Sequence, residues 1–206
     1  MPSESVRSHE NTLGDYLTSI EPGESLISTW TNSSKIAAQK QIEDLSVIII
    51  GRKVIGGKTN QSTGNRFEKL VKDVLAVETG KQIRMIKSGK TGYPDVFLKI
   101  SGVKGNVAME IKATSNWNPK DSNRRVLLSS TSRLNEFVTK NPTLPLFHAV
   151  VTLEYDALSF TVERVRLHFL QPSSQIQVRL EASTSQKLLS SVTGILFTDK
   201  TEKAKK

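Results

Sequence analysis

The chain has 206 residues, with 29 Lys and Arg against 20 Asp and Glu, a formal net charge of +9. Hydrophobic residues make up 36%, enough for one domain with a proper core and too many for a disordered chain. The absence of cysteine excludes disulfide frameworks, cysteine-ligated zinc, iron–sulfur clusters and thiol catalysis, and three histidines (His9, His148, His168) argue against a histidine-rich zinc site.

The first 20 residues are polar, with no apolar signal core in MPSESVRSHENT. Ser25 to Ile50 reads as helical, with Leu26, Ile27 and Trp30 at helical spacing, then Ile36, Ala37, Ile42 and Leu45. The run Val47 to Ile50 fits either a helix end or a short buried strand. Residues 51–64 form a glycine-rich basic connection. Asn65 to Val77 is the clearest helix: Phe67, Leu70, Val71, Val74 and Leu75 make one apolar stripe. Asn65 is placed to cap it, with Glu68 three residues on as a capping-box partner and Gly80 to end it.

The period then falls to two. Lys81 to Lys87 alternates, with Ile83 and Met85 on one side. Val96, Leu98 and Ile100 share a face, a glycine-containing turn spans Ser101 to Asn106, and Val107, Met109 and Ile111 share a face opposite Ala108, Glu110 and Lys112. The apolar set is expected to be the buried one. Thr131 to Lys140 is expected to be a short helix. Leu146 to Leu153 is apolar on both faces and so should be a central strand. Phe160 to Phe169 and Ile176 to Leu180 read as further strands, residues 183–193 as a last helix, and residues 200–206 as a flexible basic tail. The order predicts an α/β (mixed α+β) fold: a mixed sheet with helices on its faces. No run approaches the roughly 20 apolar residues of a membrane span, so a cytoplasmic protein without a membrane is expected.

The charge is uneven. Residues 1–50 carry net −4, residues 51–90 net +7, residues 91–140 net +4 and residues 141–206 net +2. A basic middle of this kind suits a polyanion such as nucleic acid. Within it stand Asp95, Glu110 and Lys112. Glu110 and Lys112, two apart on a strand, leave the same face, and the hairpin brings Asp95 beside them. Two carboxylates on adjacent strands suit Mg2+, which accepts one or two carboxylates and keeps several waters. A lysine beside them can orient or help deprotonate a water and stabilise charge on a phosphate.

Tyr93-Pro94-Asp95, a 14-residue gap, and Glu110-Ile111-Lys112 resemble the motif of the PD-(D/E)XK nucleases. The resemblance spans about residues 64–155 and implies a restriction-endonuclease-like central mixed β-sheet flanked by α-helices. It further implies a divalent metal, Mg2+ with Mn2+ able to substitute, held by Asp95, Glu110 and the Ile111 carbonyl. Lys112 would stand next to the attacking water. Glu68, on the preceding helix, would be an outer or second-metal ligand. Chain size makes the resemblance strongest to type II restriction endonucleases, implying double-stranded DNA as substrate, a homodimer, and a cognate DNA methyltransferase encoded nearby. Residues 1–50 are the candidate dimerisation region within a single nuclease domain spanning residues 1–206. Two alternatives stay open: a structure-specific or repair nuclease of the same fold, such as a junction resolvase, and a DNA-binding module without catalysis.

For DNA contact, Lys87 and Lys90 precede the motif, among Lys53, Lys58, Arg66, Lys81 and Arg84. The segment from Thr114 to Arg125 follows it directly. Its Asn116, Asn118, Asn123, Arg124 and Arg125 are residue types that read adenine and guanine edges, and Lys120 suits a phosphate. Trp117 could stack on a base or anchor the loop. His148 reads as a core histidine. His168 alternates with Arg164 and Arg166 and could touch phosphate.

Overall fold

The computed structural model describes residues 9–12, 27–77, 82–88, 94–116, 146–178, 184–186 and 195–198. In chain order these form β1 (His9–Thr12), α1 (Asn32–Ile49), α2 (Asn60–Val77), β2 (Ile83–Ser88), β3 (Val96–Ile100), β4 (Asn106–Thr114), β5 (Leu146–Tyr155), β6 (Val162–Leu170), β7 (Gln175–Val178), β8 (Thr184–Gln186) and β9 (Ile195–Thr198). The fold is mixed α+β. Its main sheet has six strands in the order β2-β3-β4-β5-β6-β9. The β4–β5 pair is parallel and the other neighbours are antiparallel. A smaller antiparallel sheet runs β1-β7-β8.

Both helices begin on the same device. At α1, the Ser34 backbone N–H donates to Thr31 Oγ1 at 3.2 Å and the Thr31 N–H donates to Ser34 Oγ at 2.9 Å. At α2, Thr59 and Ser62 repeat this at 3.1 and 3.0 Å. Each pair satisfies two N–H groups that the first helical turn leaves open. Helix α1 therefore starts at Asn32 rather than in the 20s. Ile27 instead forms a parallel bridge to Leu146. Trp30 donates its indole N–H to the His148 carbonyl at 2.9 Å, between the rings of Phe147 and Phe169. Val47 to Ile49 is helix end, not strand. Helix α2 starts five residues before the expected Asn65, so Asn65 lies inside the helix and Glu68 is no capping-box partner. The cap forms at Thr59 and Ser62 instead. Gly80 and the expected helix from Thr131 to Lys140 lie outside the described residues, as does the tail at 200–206.

Gly57 fits against this cap. Its N–H donates to Thr63 Oγ1 at 2.9 Å, and a methyl group added there would sit 2.7 Å from the Thr63 backbone nitrogen. Gly57→Ala is expected to destabilise the protein by about 1–3 kcal/mol, since backbone must shift to admit the methyl. Urea unfolding midpoints would measure it, and an unchanged midpoint would contradict the packing described.

The α2 stripe predicted from the sequence packs as expected: Phe67, Val71, Val74 and Leu75 are buried. They join Ala38, Ile42, Leu45 and Ile49 of α1 in one core with Val96, Leu98, Ile100, Val107, Met109, Ile111, Ala149, Val151 and Leu153 of the sheet. The α1 pattern is only partly inward, for Ile36 and Val47 are exposed. The expected hairpin of β3 and β4 forms, and its register sets Val96 opposite Met109 and Leu98 opposite Val107. Gly102 turns it at φ +83°, a conformation that favours glycine. Strand β5 is buried along its whole length, as its two-sided apolar pattern predicts, between β4 and β6.

Two expectations near the C-terminus change. The strand expected over Ile176 to Leu180 is described to Val178 and belongs to the small sheet, not the main one. Thr184 to Gln186, expected to be helical, is strand β8 paired with β7. Cross-strand partners that a local pattern does not encode decide both. No helix among the described residues is long and apolar enough to cross a membrane.

Candidate active site

Strand alternation sends Glu110 and Lys112 to the face of β4 opposite the Val107, Met109 and Ile111 set. That face is not the solvated one expected. Glu110 is 2% exposed, and its neighbours across the sheet, Ala108, His148, Val150 and Thr152, are buried as well. From Val107 to Ile111 both faces of β4 are buried.

Asp95 stands just before β3, at the end of the hairpin where β4 continues past it. Its Oδ2 accepts the Ile111 backbone N–H at 2.7 Å. This bond ties the Asp95 carboxylate to the middle residue of Glu110-Ile111-Lys112. Lys112 Nζ donates to Glu110 Oε1 at 2.6 Å, from a side chain that is still one-third exposed. Glu110 Oε2 is buried with no hydrogen-bond partner among the described residues. A buried carboxylate oxygen without a donor costs roughly 1–3 kcal/mol, and a group left in that state calls for a missing partner such as an ion.

Burial dominates the acid–base behaviour of the pair. It pushes the Asp95 carboxyl up to about 6, against the opposing pull of Lys112, the Ile111 N–H and Lys72, while Glu68 adds to the rise. It pushes Glu110 up to about 7, again opposed by Lys112 and reinforced by the Asp95 charge. For Lys112, desolvation works against the ammonium, but Glu110, Asp95 and Glu68 together outweigh it and hold its pKa above the usual lysine value. Lys112 is therefore an ammonium at neutral pH. Of the two roles open to it from sequence, it suits orienting a water and stabilising phosphate charge, not accepting a proton.

Glu68 reaches the site electrostatically from α2, where its Oε1 is bound by Lys72 Nζ at 2.5 Å. Nothing in the motif itself points to Lys72. Its spacing four residues after Glu68 on a helix is the signal that could have found it.

The donor set suits a hard divalent cation: two carboxylates on adjacent strands, one with an unpartnered buried oxygen, and the Ile111 carbonyl between Glu110 and Lys112. Among the described residues, no three or more His, Asp or Glu side chains gather as a metal-holding group, so the fit is to a sparse two-carboxylate site completed by water. No protein-family model matches the chain, and no curated protein compared with it is similar enough to match.

The other candidates separate. Asn116 is exposed just beyond β4, where Thr114 Oγ1 accepts its N–H at 3.3 Å. Lys87 lies on β2. Lys90, Trp117, Asn118, Lys120, Asn123, Arg124 and Arg125 lie outside the described residues. His148 is a buried core residue, as read from the sequence. His168 is 5% exposed, and burial, then the Arg166 charge, push its pKa down to about 4. It is neutral at pH 7 and does not offer a phosphate the charge its position suggested. Arg166 is itself buried and donates through Nε to Glu154, with Arg164 3.8 Å from the same carboxylate.

Proposed function

We propose that the chain is a Mg2+-dependent endonuclease of the PD-(D/E)XK type that hydrolyses DNA phosphodiester bonds, a type II restriction endonuclease acting on double-stranded DNA at a short specific site. One observation carries the reading: Asp95, Glu110 and Lys112, 15 and 17 positions apart in sequence for the first with the other two, meet across a single hairpin with Ile111 N–H locking Asp95 in place. A mixed sheet flanked by helices, with a glutamate on the preceding helix near the site, supports it.

Bound Mg2+ supplies a Lewis acid and lowers the pKa of water. The chain supplies the rest. Asp95 and Glu110, with the Ile111 carbonyl, would hold the ion on two strands whose geometry the sheet fixes. Lys112 keeps its proton and places a positive charge where the phosphate gains negative charge during attack. The basic stretch over residues 51–140 draws in the polyanion, which the carboxylates alone would repel.

A homodimer places one such centre on each strand of a palindromic site. Ile36 and Val47, exposed three helical turns apart on α1, support the N-terminal region as its contact. A methyltransferase encoded nearby would protect the host.

The test is incubation with phage DNA, with and without Mg2+. Discrete fragments are the expected result. Cleavage confined to branched DNA would replace the restriction assignment with a junction resolvase, and intact DNA binding without metal-dependent cleavage would leave a binding module.

A further inference from the structure

Helix α2 carries two ion pairs at the same i, i+4 spacing, and they sit in different surroundings. Lys69 and Asp73 meet at 2.6 Å with side chains 72% and 59% exposed. Glu68 and Lys72 meet at 2.5 Å with side chains 29% and 16% exposed. An exposed pair of this kind contributes little to stability. Drawing a lysine out of water to one-sixth exposure loses hydration and side-chain freedom that such a pair does not return. Lys72 is thus held where solvated helix electrostatics alone would not put it.

Its surroundings supply the reason. The charges of Glu68 and Lys72 both act on Asp95, and Glu68 also acts on Lys112. The carboxylates of Glu110, Asp95 and Glu68 all act on Lys112, while the Lys72 ammonium acts on Asp95. Lys112 holds Glu110 Oε1 and Lys72 holds Glu68 Oε1. With Glu68 held on its own helix, it is not gathered with Asp95 and Glu110 into a three-carboxylate group.

We infer that Lys72 is a positioning residue, an internal counter-ion that withholds Glu68 from the Asp95–Glu110 pair until a divalent cation competes for it. This rests on the nuclease reading of the same site, and adds a determinant of metal affinity on α2. A cation entering beside Asp95 attracts the Glu68 carboxylate and repels the Lys72 ammonium. Both effects break the Glu68–Lys72 contact and free Lys72 as a second positive group near the phosphate. The built-in competitor weakens metal binding in the absence of DNA.

Calorimetric titration of the DNA-free protein with MgCl2 tests this. Lys72→Met keeps the aliphatic stem and removes the charge; it is expected to tighten Mg2+ binding about five- to tenfold. Lys72→Arg should stay within twofold of the wild type, as should Lys69→Met, which removes the solvated lysine one turn away. The decisive arm is Lys72→Met in a Glu68→Gln background, where the tightening should vanish because no carboxylate remains to be released. Equal tightening with and without Glu68 would mean a general field effect and overturn the inference, as would unchanged or weaker binding in Lys72→Met. The metal reading fails separately, if Glu110→Gln binds Mg2+ as well as the wild type does. Metal-free melting temperatures of the Lys69, Lys72 and Glu68 variants, expected within about 2 °C of the wild type, guard against a folding artefact.

Discussion

Lys112→Met is expected to slow Mg2+-dependent DNA cleavage by roughly 10²–10³-fold while leaving salt-sensitive DNA binding largely in place. Two losses combine in that figure. The first is the positive charge at the phosphate, worth most where water is excluded; Lys112 sits on the edge of such a region, bound to a carboxylate that is 3% exposed. The second is indirect. Lys112 is the main influence holding Glu110 toward its ionised form against burial, so without it Glu110 stays protonated further above neutrality and competes less well for a cation. Lys112→Arg is not expected to rescue. A planar guanidinium does not fit where a compact ammonium reaches Glu110 at 2.6 Å from two residues along the same strand. Single-turnover cleavage with excess protein would measure the effect. A rate within threefold of the wild type would remove Lys112 from the chemistry. Asp95→Asn, which keeps an acceptor for the Ile111 N–H, should lose activity to a comparable degree through loss of charge alone.

The second large effect falls on stability. Glu110→Gln is expected to raise the melting temperature of the metal-free protein at pH 8 and to change it little at pH 5. Burial raises Glu110 to about 7 and Asp95 to about 6. Groups raised in this way keep protons in the folded chain that the unfolded chain has already released. Their stabilising contribution is complete below the ordinary carboxylate range and is lost as pH climbs through 6 to 7. At pH 8 the wild type carries a buried carboxylate with an unpartnered oxygen, at a cost on the order of 2 kcal/mol. Glutamine carries no charge there, and Lys112, one-third exposed, can turn to water. The expected gain is about 4–8 °C for a chain of this length. His168, pushed down to about 4, has the opposite pH dependence, gaining stability as pH rises from about 4 to the ordinary histidine value of roughly 6.5. It is common to both proteins and cancels in the difference. Scanning calorimetry at pH 5 and pH 8 is the measurement. Adding MgCl2 at pH 8 should narrow the gap by stabilising the wild type and not the variant. A gap that is constant between the two pH values would mean that Glu110 is not the strained group described here.

The strain at Glu110 also explains why only part of the site is legible in the sequence. The alternation of Val107 to Lys112 identifies which residues share a face and places Asp95 across the hairpin, and the register bears this out. Periodicity is silent on whether a face is covered. A strand with one polar and one apolar side looks half-solvated, whereas here Glu110, Thr152, Glu154, Arg166 and His168 are all buried on the polar side. Likewise, the sequence shows Glu68 as a glutamate on an amphipathic helix, but its spacing from Asn65 equally suits a cap for a helix beginning there. The cap lies at Thr59 and Ser62. That moves the helix start back by a turn and more, and leaves Glu68 in mid-helix with Lys72 as its partner.

Local composition and spacing determine, without help, what local forces decide: the apolar stripe of α2, the turn of the β3–β4 hairpin, the two-sided burial of β5, the common face of Glu110 and Lys112, and the basic middle of the chain. The tertiary structure decides the rest: the parallel pairing of β4 with β5, the assignment of β7 and β8 to a separate sheet, the burial that raises Asp95 and Glu110, and the approach of Glu68 and Lys72 to that pair. The physical reason is range. Side-chain direction follows from the nearest few residues, whereas desolvation and charge interaction depend on which distant segments arrive to displace water. The +9 of the chain shows in its sequence, but the charges of Glu68 and Lys72 reach Asp95 only when α2 meets the hairpin.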